Sequence, residues 1–301
     1  MEVKKTAFST FKAPPAAAVE RVWKGSIDMH IHFAPDANMD RRYDGLEVVT
    51  EARNAGMRGV VLKCDYSPTT LVAFAAQRAV PEVAVYGSIN IESCTTGGLG
   101  EYTAETIEAH AKMGAKVLWF PTFDSLYSKK YGGKEGGITI LEENGTLKPV
   151  VYDILDVVKK YNMVLCNGHL SPEETLALFT AAREKDITKM VATHAMVDII
   201  WPPFKMDEMK ALVDLGAYIE HTYRNCLPLV NSYSPLNYVN AIHELGAEHT
   251  ILSTDFGQIS DSSPAEGMRT FIATMLQMGV SEEEVNLMVK TNPAKLLDLE
   301  L

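Results

Sequence analysis

Ser26-Ile27-Asp28-Met29-His30-Ile31-His32-Phe33 is the stretch on which the fold turns. Apolar and polar residues alternate through it, as in a strand whose successive side chains take opposite faces, and a period of two puts Asp28, His30 and His32 on one face. Seven further short apolar, β-branched runs follow, at residues 59–64, 83–91, 116–121, 163–168, 189–193, 217–222 and 250–254. Each is separated from the next by a longer stretch.

Those longer stretches read as helices. Apolar spacing near 3.6 marks 46–55, 69–79, 150–160, 172–183, 206–215, 237–245 and 265–277. Ser171-Pro172-Glu173-Glu174 supplies an N-cap, a proline at the first helical position and acid in the first turn. Gly56, Gly114, Gly216 and Gly246 stand where a helix must stop before the next strand. Strict strand–helix alternation implies parallel strands with crossover helices, and eight repeats are the number that closes a (β/α)8 barrel. A doubly wound open sheet is the competitor. The reading is an α/β protein with one barrel domain over residues 26–301 and an N-terminal extension at 1–25.

One connection breaks the rhythm. Residues 122–148, after the fourth strand, carry Gly132, Gly133, Gly136, Gly137 and Gly145 together with Phe123, Tyr127 and Tyr131, a composition that reads as a substrate lid. After the eighth helix, 282–290 and 293–299 read as short closing helices, leaving no second domain.

Composition narrows the function. Of 301 residues, 47% are hydrophobic and 22% charged, which describes a globular chain with a large core. A formal charge of -11 without a dense basic cluster excludes a nucleic-acid partner. Cys64, Cys94, Cys166 and Cys226 have neither zinc-knuckle spacing nor the density of a disulfide scaffold, so they read as reduced core thiols. No apolar run has the length of a secretion signal or of a membrane span, so the expectation is a soluble cytoplasmic protein, with a homo-oligomer as a general expectation for an enzyme.

In a parallel barrel the chemistry sits at the carboxyl ends of the strands. Here those ends are polar: His30 and His32 on the first, Lys63 on the second, His169 after the fifth, His194 after the sixth, Asp255 after the eighth. Imidazole and carboxylate are the ligands expected for zinc and similar divalent ions, and such ends can reach one central ion from several sides. His110, His243 and His249 fall on helices or at the opposite end and are set aside. Of the adjacent pair Glu220-His221 on the seventh strand, one residue must face inward and either could touch substrate, with His221 taken as the candidate contact. Arg224, in the loop beyond, could clamp a substrate carboxylate, and Trp119, Phe123, Trp201 and Phe204 could wall an apolar pocket.

The ordered set Asp28-x-His30-x-His32, His169, His194, Asp255 and the closing Asn292-Pro293-Ala294-Lys295-Leu296-Leu297 resembles the amidohydrolase superfamily of metal-dependent hydrolases, over about residues 26–298. The resemblance implies that His30, His32 and His169 hold the metal. It makes Asp255 both a ligand and the general base on a metal-activated water, and His194 a second-metal ligand or a group that orients water or an oxyanion. The implied cofactor is a divalent ion, zinc first, with manganese or iron as options. The implied reaction is hydrolysis of a small amide, ester or lactone.

The sequence also departs from that pattern. Val117-Leu118-Trp119-Phe120-Pro121-Thr122 offers no lysine or glutamate at the end of the fourth strand, so one ion is expected rather than two. Lys63 could be carboxylated to bridge two ions, could anchor substrate or donate a proton, or could be structural. Too few residues precede His30 for the flanking β-sandwich of hydantoinase-like members. A decarboxylase or hydratase on the same scaffold stays open. So does a phosphoesterase of the PHP kind, although the Phe256-Gly257 that follows Asp255 lacks the Asp-x-His ending of that class.

Overall fold

The computed structural model describes residues 13–197 and 203–300. Eight strands, β1 Ile27–His32, β2 Gly59–Lys63, β3 Ala84–Asn90, β4 Ala115–Trp119, β5 Val164–Cys166, β6 Met190–Ala192, β7 Tyr218–Thr222 and β8 Thr250–Ser253, form one parallel sheet in sequence order. Just beyond β8 the chain returns to β1: Ile31 bridges Phe256 in parallel, the Asp255 N–H donates to the His30 carbonyl at 2.9 Å, and the His32 N–H donates to the Phe256 carbonyl at 2.8 Å. The sheet is a (β/α)8 barrel.

Strand parity fills its interior. Val61, Val117, Val164, Cys166, Val191 and Ile251 project inward from alternate positions, join Ile27, Met29 and Trp119, and form a buried cluster inside the barrel. Residues of the other parity, such as Leu62, Leu118, Leu165 and Ile219, pack outward into two clusters beneath the helices. In β1 the alternation is interrupted. The register against β2 shifts between Asp28 and Ile31, so Met29 joins the interior cluster while Asp28 bonds to the chain beyond β8.

Helix ends follow the sequence signals. Ser171 caps the helix Pro172–Glu184 in a reciprocal box with Glu174, and Asp44 does the same with Glu47 for Gly45–Asn54. The helix Ala16–Trp23, within the stretch read as an extension, lies against Pro264–Gln277, and the Trp23 indole N–H donates to the Ala265 carbonyl at 3.0 Å.

The connection at 122–148 is more built than a bare lid. It contains the helix Leu126–Tyr131 and bridges from Ser125 to Ile138 and from Leu141 to Leu147. Ile140 and Leu147 are buried in the outer core, and Glu174 accepts from the Thr139 hydroxyl at 2.6 Å. These apolar anchors pull the glycine-rich segment onto the barrel wall.

The amino-terminal end of the barrel is closed by the helix Asn292–Leu297, whose Ala294, Leu296 and Leu297 join the interior cluster. Buried Asn292 fixes it there by donating to the carbonyls of Ala247 and Thr250, each at 2.8 Å. Asn292→Ala removes both donors from these buried carbonyls. An unfolding free energy lower by about 2–3 kcal/mol is expected, read as a shifted urea midpoint at unchanged slope. An unchanged midpoint would show that the plug does not hold this end.

Candidate active site

The carboxyl ends of the strands surround a cavity of about 100 Å³ whose walls include His30, His32, Lys63, His169, His194 and Asp255. Ligand atoms of His30, His32 and Asp255 lie within 4.8 Å of one another. His169 and His194 stand beside this group: the His194 ring is 5.6 Å from His30 and 5.2 Å from His169, centroid to centroid. The four histidine rings thus form a chain along one side of the cavity, starting from His32, 5.3 Å from His30.

Backbone strain accompanies the placement. Asp255 has φ 57 and His194 φ 29, left-handed values that a residue with a side chain adopts only when its surroundings impose them. Two glycines permit the close approaches beside them. A Cβ at Gly168, before His169, would run into the Phe120 carbonyl oxygen, and one at Gly257, after Asp255, into that of His32.

Hydrogen bonding sets which ring nitrogens face the cavity. His30 Nδ1 lies 3.2 Å from buried Glu220, which also accepts from the His194 backbone N–H at 3.1 Å. A carboxylate on Nδ1 holds the proton there and leaves the Nε2 lone pair free. That nitrogen is buried with no hydrogen-bond partner, 3.3 Å from Asp255 Oδ1, and His32 Nε2 is 3.2 Å from the same oxygen. With the His30 proton on Nδ1, its Nε2 lone pair and the Asp255 oxygen are two acceptors facing each other, an arrangement that a shared proton or a metal ion relieves, so the donor set fits a divalent ion with N and O ligands.

The charges follow from burial and neighbours. Burial would raise the Asp255 carboxyl, but His30, His32 and His194 outweigh it and hold the group well below the carboxylate range. His32 and His194 are pushed down to about 4, by burial first and by the Lys63 ammonium among the lesser causes. Burial likewise holds His169 well below its ordinary value. His30 moves the other way, because the carboxylates of Asp255 and Glu220 overcome its burial. Three of the four rings are therefore neutral at neutral pH.

The Lys63 ammonium reaches the cavity over the Trp119 ring, at 5.5 Å from its centroid, and pairs with Asp65 at 2.5 Å. Asp65, absent from the sequence reading, also accepts from the Asn90 amide at 2.9 Å and the Thr122 hydroxyl at 3.1 Å. Burial opposes its ionisation, yet Lys63 and His32 keep it a carboxylate. Glu92, on the far side of Thr122, is raised to about 7 by burial. Arg41, also unforeseen, lines the cavity, pairs with Asp36 at 2.6 Å and approaches His32 Nδ1 at 3.3 Å.

His221 is not at the cavity. Tyr218 and Glu220 take the inward parity of β7, so His221 points outward and is fully buried against Tyr238, with ring centroids 4.5 Å apart. His221, read as a candidate substrate contact, thus lies away from the cavity against Tyr238, and Glu220 is the member of the pair that faces inward. Phe123 lines the cavity and meets the His169 ring edge-on at 5.4 Å, whereas Trp119 lies beneath it and Phe204 is buried in the outer core. Trp201 lies outside the described residues.

With fold and geometry in hand, comparison with known proteins places the chain. It belongs to a family of unknown function, DUF6282, whose profile matches residues 25–220. No curated protein sequence matches it. Among solved structures it is similar to an amidohydrolase from Pseudomonas aeruginosa, at 11% identity and TM-score 0.62 over 94% of this chain and 98% of that one. The probable dipeptidase PvdM from Pseudomonas aeruginosa is similar at 12% identity and TM-score 0.63, over 94% and 97%. A 2,6-dihydroxybenzoate decarboxylase from Rhizobium is similar at 11% and 0.55, over 92% and 99%. Likeness at these identities establishes the shared barrel. It does not establish a reaction.

Outer-sphere carboxylates that orient a ligating imidazole typically govern affinity by ten- to a hundredfold. Glu220→Gln is accordingly expected to weaken zinc binding by about that factor in a competition titration against a chromogenic chelator. Wild-type affinity in this variant would remove Glu220 from that role.

Proposed function

We propose that this chain is a metal-dependent hydrolase of the amidohydrolase type, acting on a small amide, ester or lactone. The observation that carries the reading is the convergence of His30, His32 and Asp255 on one point at the carboxyl mouth of the barrel, with a buried, unpartnered His30 Nε2. These three residues would hold the ion, with His169 and His194 close enough to complete its surroundings. Zinc suits two imidazoles and a carboxylate, and manganese or iron are also compatible. When bound, the ion supplies Lewis acidity and lowers the pKa of water.

The chain's own residues do the rest. Asp255, whose side chain is 19% exposed to the cavity, would accept the proton of the attacking water, since the neighbouring histidines favour its carboxylate form. His194 would face the substrate's carbonyl oxygen from the next strand end. Lys63, fixed by Asp65, would place positive charge at the back of the cavity, where an oxyanion or a leaving group develops charge. Phe123, over His169, would limit water on that side.

Elemental analysis of purified protein tests the reading first. About one equivalent of zinc, manganese or iron is expected, lost in the His30→Ala/His32→Ala double variant, and no metal under any loading condition would sink the proposal. Asp255→Asn should lower turnover by at least about a hundredfold on whichever member of an amide, ester and lactone panel the wild type cleaves. Carbon dioxide release without hydrolysis on the same panel would reassign the scaffold to decarboxylation.

A further inference from the structure

Among the described residues, the Arg and Lys side chains that line the cavity are Arg41, Lys63 and Arg224, and they differ in how fully their partners engage them. Arg41 forms two bonds to Asp36, from Nε at 2.8 Å and Nη2 at 2.6 Å, and is almost fully buried. Lys63 is held at 2.5 Å by Asp65, with both side chains buried. Arg224 is different. Its Nε stands 3.6 Å from Asp261 Oδ2, an oxygen that already accepts the N–H groups of Gly257 and Gln258, and it makes no hydrogen bond.

A guanidinium has five donors in a planar fork, and leaving such donors unmade beside a partly desolvated cavity is costly. The backbone that carries this fork is fixed. The Arg224 N–H donates to the Thr254 carbonyl at 3.0 Å, one residue before Asp255, so the arginine is registered to the candidate base. Asn225, the next residue, is buried and bonded to Tyr238, which anchors the turn from the other side. Gln258, also on the cavity wall, gives its amide N–H only to the weak acceptor Met39 Sδ, at 3.1 Å. Arg224 and Gln258 thus both present weakly engaged donors to the cavity.

We infer that Arg224, seconded by Gln258, is an anchor for a substrate carboxylate, so that the substrate class is a small carboxylic acid carrying the scissile bond a few atoms from its carboxylate. This deepens the hydrolase reading and rests on it for the reaction, though not for the anion site. A planar, singly charged oxyanion matches the fork in bidentate fashion. A phosphate dianion fits less well beside Asp255, Asp65 and Glu220, in a chain whose net charge is -11. The small cavity, with Met39 and Phe123 in its wall, leaves room for a short apolar stem next to the charge.

The test is an NMR titration with propionate, its uncharged isostere propionamide, and inorganic phosphate, on EDTA-treated and on zinc-supplemented full-length protein. Propionate should bind more tightly than either alternative. Its affinity should fall about tenfold in Arg224→Gln and recover only in part in Arg224→Lys, which keeps the charge but not the fork. Circular dichroism of both variants separates loss of the anchor from loss of the fold, and Arg224→Lys keeps the question answerable if Arg224→Gln unfolds. Equal propionate affinity in a folded Arg224→Gln, tighter binding of phosphate, or no propionate binding in either metal state would overturn the assignment. Arg224-dependent propionate binding in a protein that takes up no zinc would leave this inference standing while the hydrolase reading falls.

Discussion

The seam between β1 and the chain beyond β8 is the constraint from which the site follows. Asp28, fully buried, accepts from the Thr254 N–H at 3.1 Å and from its hydroxyl at 2.5 Å while also taking the His30 N–H at 3.1 Å. One carboxyl therefore ties the backbone that carries two of the histidines to the backbone that carries Asp255. Burial raises this carboxyl to about 7 in spite of three stabilising bonds, which measures how far the seam is removed from water. With β1 and β8 joined there, the chain can reach the His30 carbonyl only by turning Asp255 left-handed, and can pass His32 only with glycine at 257. Seam closure and site geometry are one event.

From the seam the polar order spreads around the mouth through shared carboxylates. Glu220 serves the His30 side chain and the His194 backbone together, so β1, β6 and β7 are tied at one oxygen. Asp65 links β2, β3 and the end of β4 through Lys63, Asn90 and Thr122, and Glu92 continues the chain into the 122–148 connection through Thr122 and Asp124. Removing one member of such a network leaves the rest buried and unpaired, so the arrangement holds the histidine rings in place far better than isolated pairs would.

The strand rhythm was open to sequence reading because side chains on a closed parallel barrel obey a period of two that the chemistry of the core makes visible. Where parity holds, the reading extends to single residues: the rule that flagged His30-x-His32 applies equally to Lys63-x-Asp65, and carrying it two residues past β2 would have found Asp65. Where parity is ambiguous it failed. Glu220 and His221 are both polar at a strand end, and only the register with β6 and β8 decides that Glu220 faces in. The register shift in β1 likewise moves Asp28 from the ligand face to the seam, and a single strand carries no mark of it. Arg41 lies in a connection whose path is set by its pair with Asp36, and the built character of 122–148 depends on Ile140 and Leu147 finding the outer core. Those are tertiary facts.

The number of ions turns on the end of β4. Trp119 occupies that position, its ring 5.6 Å from His30 and beneath the Lys63 ammonium, and it can coordinate nothing. A second cation beside His169 and His194 would need an anionic partner shared with the first site. Of the nearby carboxylates, Glu220 is bonded to His30 and His194, and Asp65 gives Oδ1 to Lys63 and two further donors while its Oδ2 has no hydrogen-bond partner. Lys63 could become such a bridge only by adding carbon dioxide at Nζ, an atom that Asp65 holds at 2.5 Å. An ammonium among four histidines also repels a second cation at close range. On the proposed reading the charge distribution favours one ion at His30, His32 and Asp255, with His169 and His194 beside it.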